Sequence, residues 1–261
     1  MKELTARVYS NEQIAPGIYE MDLQLPEDIE FRCGQFLNLS VGDGAHLLRR
    51  PFAITCYNKE MRIAVCCYQV KGEGTKLLSE KKAGDELACV LPLGNGFTIG
   101  DEQKRVALVG GGVGIFPLLS VLGEYQESDK HFRSYMGFRS AEYVNMFGMY
   151  DHRSDHYACA TDDGSFGAKG NAVRLFFDDF ENARPDVILA CGPTPMLRAL
   201  KAGLQERGVR VPCYVSLEER MGCGIGACLV CVCKKSGGQN ARVCKDGPVF
   251  AIDEVELEWQ I

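Results

Sequence analysis

Between Ile18 and Leu25 the chain alternates strictly, with Tyr19, Met21, Leu23 and Leu25 on one side of an extended backbone and Glu20, Asp22 and Gln24 on the other. A period of two marks a strand with one face buried. Further short strands are predicted at Gln35–Ser40, Phe52–Cys56, Arg62–Val70 and Glu86–Leu91, divided by glycine-bearing turns such as GDG and KAGD. Strands of this length and spacing predict an antiparallel β-barrel over residues 1–99. From about residue 104 the pattern changes. KRVALVG, HFRSYMGF, HYACATDD and DVILACG read as strands, and IFPLLSVLGEYQ, NAVRLFFDDF and TPMLRALKAGLQERG as helices. That alternation predicts βαβ units and a parallel-sheet α/β domain over 100–212. After VPCYVSLEER regular patterning stops, and residues 213–261 hold six of the chain's 13 cysteines. So small a segment builds little core of its own, so a metal staple makes physical sense.

Composition narrows the partners. A net charge of -6, with lysines and arginines dispersed along the chain, gives no electrostatic reason to expect nucleic acid or an acidic membrane. No apolar run approaches the roughly 18 residues of a spanning helix, and MKELTARVYSNEQ lacks the apolar core of an export signal, so a cytoplasmic protein is expected. In a reducing compartment, cysteine points to thiolate or metal chemistry rather than disulfides. The scattered cysteines Cys33, Cys56, Cys66, Cys67, Cys89, Cys159 and Cys213 lie in apolar stretches and read as core packing.

The remaining cysteines are patterned. In MGCGIGACLVCVC, Cys223, Cys228 and Cys231 stand as C-x4-C-x2-C, and Cys244 follows after twelve residues in ARVCKDGPVF. This is the plant-type [2Fe-2S] ligand spacing with a short return to the fourth ligand. Gly222, Gly224 and Gly226 permit the close, partly left-handed backbone that such a loop needs. Zinc held by thiolates also uses short C-x2-4-C pairs, but commonly as two separated pairs, whereas three ligands here crowd one loop. Cys233 has no place in the spacing. On an extended LVCVC it lies roughly 6.6 Å beyond Cys231 and is expected to pack in the core.

Two loops suit a dinucleotide. Gly110, Gly111, Gly112 and Gly114 lie between the strand RVALV and a helix opening near Pro117, where amides and a helix N-terminus approach a pyrophosphate; a bare strand-to-helix turn is the alternative, and Ile115 stands where a G-x-G-x-x-G pattern has its third glycine. Cys191 and Gly192 open CGPTPM at the carboxyl end of the last parallel strand, where open α/β sheets bind ligands. In the barrel, Arg49 and Arg50 precede an apolar strand, and Lys71-Gly-Glu-Gly-Thr75 follows another; both suit phosphate, though each alone reads as an exposed strand end or turn.

The order RRPFAI, KGEGT, LPLGNGF, VGGGVGIFPLL, CGPTPML resembles the ferredoxin-reductase superfamily of FAD and NAD(P) electron-transfer proteins. The tail EERMGCGIGACLVCVC…ARVCKDGPVF resembles, more narrowly, the electron-transfer subunits of class 1B, NAD-dependent dihydroorotate dehydrogenases, and the resemblance spans essentially the whole chain. It implies an FAD-binding barrel, an NAD-binding domain and a [2Fe-2S] domain. It places Arg50, Pro51, Phe52 and Ala53 against FAD, Cys67, Tyr68, Gln69 and Val70 along the flavin, Gly74 and Thr75 on its pyrophosphate, and Cys223, Cys228, Cys231 and Cys244 on the cluster. Ala53 departs from the family's small hydroxyl residue, and Thr55 is the candidate to replace its hydrogen bond. In a sister group, the flavin subunits of bifurcating ferredoxin:NADP oxidoreductases, aspartate often takes the first ligand position, so Cys223 favours the dihydroorotate reading.

The implied activity, in pyrimidine biosynthesis, is a relay from a partner catalytic subunit that holds FMN and oxidises dihydroorotate, through the cluster and FAD, to diffusible NAD+. A heterotetramer of two of each subunit is expected, with no catalytic acid–base group in this chain. A stand-alone NAD(P)H reductase serving a ferredoxin, hydrogenase or sulfur acceptor is the competing enzyme reading, and a zinc-stapled nucleotide-binding adaptor the non-enzyme one. Arg139 and Ser140, after SYMGF, leave NAD against NADP open.

Overall fold

The computed structural model describes residues 1–42 and 44–257; Asp43, the centre of the predicted GDG turn, lies outside the described residues. Its first strand, β1 (Lys2–Ala15), is the longest, and alternation did not announce it. Only Ala6, Val8 and Ala15 of β1 are buried, so its sequence is mostly polar; what defines it is hydrogen bonding on both edges. The chain continues through β2 (Ile18–Gln24), β3 (Phe36–Leu39), β4 (Arg50–Asn58), β5 (Ile63–Gln69), α1 (Glu73–Ser79) and β6 (Glu86–Leu93). The strands close in the order β1-β2-β5-β4-β3-β6, around a core that includes Met21, Leu23, Leu37, Leu39, Ile54 and Leu91. KGEGT is thus the entry to a helix rather than a free turn.

The second region runs β7 (Arg105–Gly111), α2 (Ile115–Glu124), β8 (His131–Phe138), α3 (Phe147–Arg153), β9 (His156–Thr161), β10 (Ala168–Lys169), α4 (Ala172–Asp178), α5 (Phe180–Ala183), β11 (Val187–Cys191) and α6 (Thr194–Glu206). These strands are parallel, as alternation predicts, and β11 is buried along its whole length because helices cover both faces of the sheet.

Regular structure does not stop after VPCYVSLEER. Cys213–Ser216 is β12, a parallel neighbour of β11. It is followed by β13 (Val232–Lys234), β14 (Asn240–Arg242), α7 (Val243–Asp246) and β15 (Val249–Ala251), and β15 returns antiparallel onto β12. The sheet order is therefore β10-β9-β8-β7-β11-β12-β15. β13, β14 and β15 have three residues each, too short to carry a periodic signal, which is why hydrophobic patterning missed them. The core joins the three stretches of chain. One sheet face is continuous with barrel residues Ala15, Ile18, Cys67 and Phe97, and the other with Cys231, Cys233, Val243 and Cys244.

Candidate functional site

Strand order reverses between β7 and β11, and at such a switch point the loops leaving neighbouring strands part to form a crevice. Here the barrel faces that crevice and a cavity of about 340 Å³ opens between them. β4 contributes Arg50, Pro51, Phe52 and Ala53 to its wall, β5 contributes Cys67, Tyr68 and Gln69, α1 contributes Thr75 and β11 contributes Cys191. With Lys71, which precedes α1 and also lines the cavity, ten of the positions singled out in the sequence thus meet in one place. Val70 and Gly74 fall between wall residues, whereas Gly110, Gly111, Gly112, Gly114 and Gly192 sit outside the wall, with Val113 of that loop on it.

The two neighbouring arginines divide. Arg49 turns to the Glu3 carboxylate on β1, while Arg50 donates to the Leu48 carbonyl and lies over Gly74. A Cβ on Gly74 would stand 2.4 Å from the Arg50 guanidinium, so glycine there makes room for the cation. The Thr75 hydroxyl accepts from the amides of Lys71 and Gly72 at 2.9 and 3.1 Å, which fixes the turn into α1. Phe52 and Tyr68 stack obliquely with ring centroids 5.0 Å apart, an apolar platform suited to a flat aromatic ring. The Thr55 hydroxyl, buried beside the Cys67 thiol, has no hydrogen-bond partner of good geometry among the described residues and lies behind the wall rather than on it.

The glycine loop has a more structural logic than its sequence suggests. A Cβ would meet Met136 at Gly110, Met196 at Gly111 and the Cys191 carbonyl oxygen at Gly114, at 2.6, 2.7 and 2.3 Å. Gly112 alone is open, with φ +54° and nothing within 4 Å. Gly110 and Gly111 therefore let the end of β7 pack against Met136 and Met196, Gly114 lets the following loop touch the Cys191 carbonyl, and Gly112 presents bare backbone outward.

Beyond the wall residue Met221 the chain enters the cysteine loop, and Cys223 follows two residues later. Its sulfur accepts from the amides of Ile225, Ala227 and Cys228 at 3.4, 3.2 and 3.4 Å. Burial pushes the Cys223 thiol up, but these amides outweigh it and bring it down to about 6. Burial and the neighbouring Cys231 push Cys244 up to about 12. The Cys223 amide donates to the Cys228 sulfur at 3.3 Å and the Cys244 amide to the Cys231 sulfur at 3.4 Å, while Gly226 donates to Cys244 at 3.1 Å. The contacts thus associate Cys223 with Cys228 and Cys231 with Cys244. Among the described residues no three candidate ligands converge as on a single bound ion, and ligands shared two and two between a pair of irons need not. Gly224 and Gly226 have φ of +73° and +84°, as the close loop requires. Cys233 is buried in the core, its side chain among Cys231, Ala241 and Val243. Of the seven scattered cysteines six are buried and Cys56 is half-buried.

Sequence reasoning missed part of the wall: Gly34, Phe36, Phe116, Pro117, Ser216, Leu217, Glu218, Glu219 and Pro248. No spacing marks them, Glu218 and Glu219 included. Burial raises the Glu219 carboxyl above its ordinary range.

Comparison with known proteins agrees with this geometry. The family described as the iron-sulfur cluster binding domain of dihydroorotate dehydrogenase B matches residues 218–256. The dihydroorotate dehydrogenase B (NAD(+)) electron transfer subunit of Bacillus pumilus (strain SAFR-032) is 40% identical over 263 residues, covering 98% of this chain and 99% of that protein. The subunit of the same description from Streptococcus mutans serotype c is 37% identical, covering 96% and 97%. Among solved structures, the NADH-dependent reduced ferredoxin-NADP oxidoreductase of flavin-based electron bifurcation superposes with a TM-score of 0.83 at 28% identity, covering 97% of this chain and 90% of that one. Phthalate dioxygenase reductase, at 19% identity and TM-score 0.68 over 95% of each chain, shares the fold.

Proposed function

The chain belongs to the family of dihydroorotate dehydrogenase B (NAD(+)) electron transfer subunits, and on that premise we propose that it passes electrons taken from dihydroorotate by a partner catalytic subunit to NAD+, in pyrimidine biosynthesis. The observation that carries this reading is the continuity of the cavity wall with the cysteine loop through Met221. A [2Fe-2S] centre exchanges single electrons and nicotinamide takes two as hydride, and FAD supplies the conversion between them because it does both.

The chain's own residues bind and orient. Arg50, above Gly74, holds FAD phosphate charge, with Thr75 fixing the turn beside it; Pro51, Phe52, Ala53, Cys67, Tyr68, Gln69 and Val70 seat the ring. Cys223, Cys228, Cys231 and Cys244 would hold the [2Fe-2S] cluster, with five loop amides donating to the sulfurs. Gly112 offers open backbone to the NAD pyrophosphate, and Cys191 and Gly192 border the nicotinamide. Asp162 follows β9 directly beside the end of β8 that carries Arg139, and its carboxylate disfavours a 2′-phosphate, which supports NAD over NADP. The partner holds FMN, two of each subunit assemble, and the complex works in the cytoplasm; no helix among the described residues is long and apolar enough to cross a membrane.

The similarity to the bifurcating oxidoreductase favours one rival, a reductase that delivers electrons to ferredoxin. The purified chain is expected to show flavin and iron–sulfur absorption bands, to be reduced by NADH, and to be reduced by dihydroorotate only once an FMN-containing catalytic subunit is added. Reduction by dihydroorotate without that subunit, or a colourless protein, overturns the proposal.

A further inference from the structure

Asn38 is a buried polar residue that none of these roles uses. It lies on β3, 1% exposed, and its Oδ1 has no hydrogen-bond partner among the described residues. Its Nδ2 points at the main-chain carbonyl of Cys223 across 3.5 Å, too long for a strong bond but correctly directed. Across the strand pair it is registered with Pro51, a wall residue of the flavin pocket. Two residues before it on the same face, Phe36 also lines that pocket. The cysteine loop is shaped around the carboxamide, because a Cβ on Gly224 would stand 2.5 Å from Nδ2. For packing alone, a leucine would fill this space with no polar group to leave unsatisfied.

Resting on the cluster assignment above, we propose that Asn38 is a positioning residue that holds the Cys223 main chain against the flavin strand and thereby sets the reduction potential of the cluster. The donor end of the carboxamide faces the backbone that carries the first ligand. A positive dipole there favours the more negatively charged, reduced cluster, as hydrogen bonding around the sulfurs does. Its removal lowers the potential and makes the cluster a poorer acceptor of each single electron.

The test is a redox titration of the FAD- and cluster-loaded chain, followed by electron paramagnetic resonance. Asn38→Leu keeps the branched heavy-atom skeleton and removes the donor; its reduced-to-oxidised ratio at a fixed potential is expected to fall about tenfold, a shift of about 59 mV for a one-electron couple. Asn38→Asp keeps the shape, adds a negative charge and is expected to shift further in the same direction, with FAD and iron content equal to the wild type. If Asn38→Leu does not fold, the isosteric Asn38→Asp decides alone. Midpoints and g-values coinciding with the wild type overturn the inference. A wild-type chain with no [2Fe-2S] signal overturns instead the cluster assignment on which it rests.

Discussion

Gly114→Ala tests how the pocket is built. The new methyl carbon would stand 2.3 Å from the Cys191 carbonyl oxygen, 2.4 Å from its carbon and 2.5 Å from the Gly192 nitrogen, where ordinary contact begins at 3.4 Å. All three atoms are backbone, so no rotamer relieves the clash. Either the glycine loop or the 191–192 turn moves by roughly 1 Å, a displacement that lowers the rate of a positioned reaction by about a hundredfold. Overpacking adds a stability cost of about 1–3 kcal/mol. Gly112→Ala is the matched control, because its φ of +54° brings only the left-handed backbone penalty, about 1–2 kcal/mol, and its methyl meets no protein atom within 4 Å. The two variants therefore lose similar stability in urea but differ in NADH–ferricyanide kinetics. Gly114→Ala lowers kcat, because the wall at Cys191 has shifted, whereas Gly112→Ala raises KM with kcat little changed, because the methyl obstructs only the bound nucleotide. A Gly114→Ala protein with wild-type kcat would refute the claim that the two loops are held in register by this contact.

Cys231→Ser and Cys244→Ser are expected to lose the iron–sulfur bands and retain flavin, while Cys233→Ser retains both and loses about 1–3 kcal/mol in urea, since its hydroxyl replaces a buried thiol; loss of the cluster in Cys233→Ser would make it a ligand. Gly74→Ala, which pushes into the Arg50 guanidinium, should weaken FAD binding about tenfold in a flavin fluorescence titration, and unchanged affinity would remove Arg50 from the phosphate site. Hydrogen bonds from Arg105, opposed by slight burial, hold the Asp186 carboxyl down at about 2. The native pKa lies below the unfolded value of about 3.9, so its contribution is complete above that value and is lost as pH falls from about 4 to 2. Asp186→Asn should flatten melting temperature against pH across that window, and an unchanged slope would show that the pair is not coupled to folding.

How much of this was legible follows from which signals are local. The alternation at Ile18–Leu25 could be read because Met21, Leu23 and Leu25 fill the barrel core while Glu20, Asp22 and Gln24 on the other face are only half-buried. β1 could not, because its identity comes from pairing with β2 and β6 rather than from its own pattern. The thiols proposed for the cluster stand out as a spacing, since metal geometry constrains sequence separation within one loop. Glu218 and Glu219 do not, because only the return of the chain past β12 brings them to the cavity. Glycine type alone also did not separate Gly112, open to a ligand, from Gly110, Gly111 and Gly114, which are small so that strands and turns can touch.

The return of β15 onto β12 makes the stretch 217–248 a cassette spliced into one hairpin. Ser216 and Val249, which bracket it, are register partners, and antiparallel partners keep their Cα atoms about 4.5–5.5 Å apart. A turn of a few residues could bridge that gap, so the pairing of β12 with β15 does not depend on the length of the cassette. The seam is single, but the cassette also supplies Leu217, Glu218, Glu219, Met221 and Pro248 to the cavity wall and Cys231, Cys233, Val243 and Cys244 to the core, so a change of wiring there reaches the pocket as well.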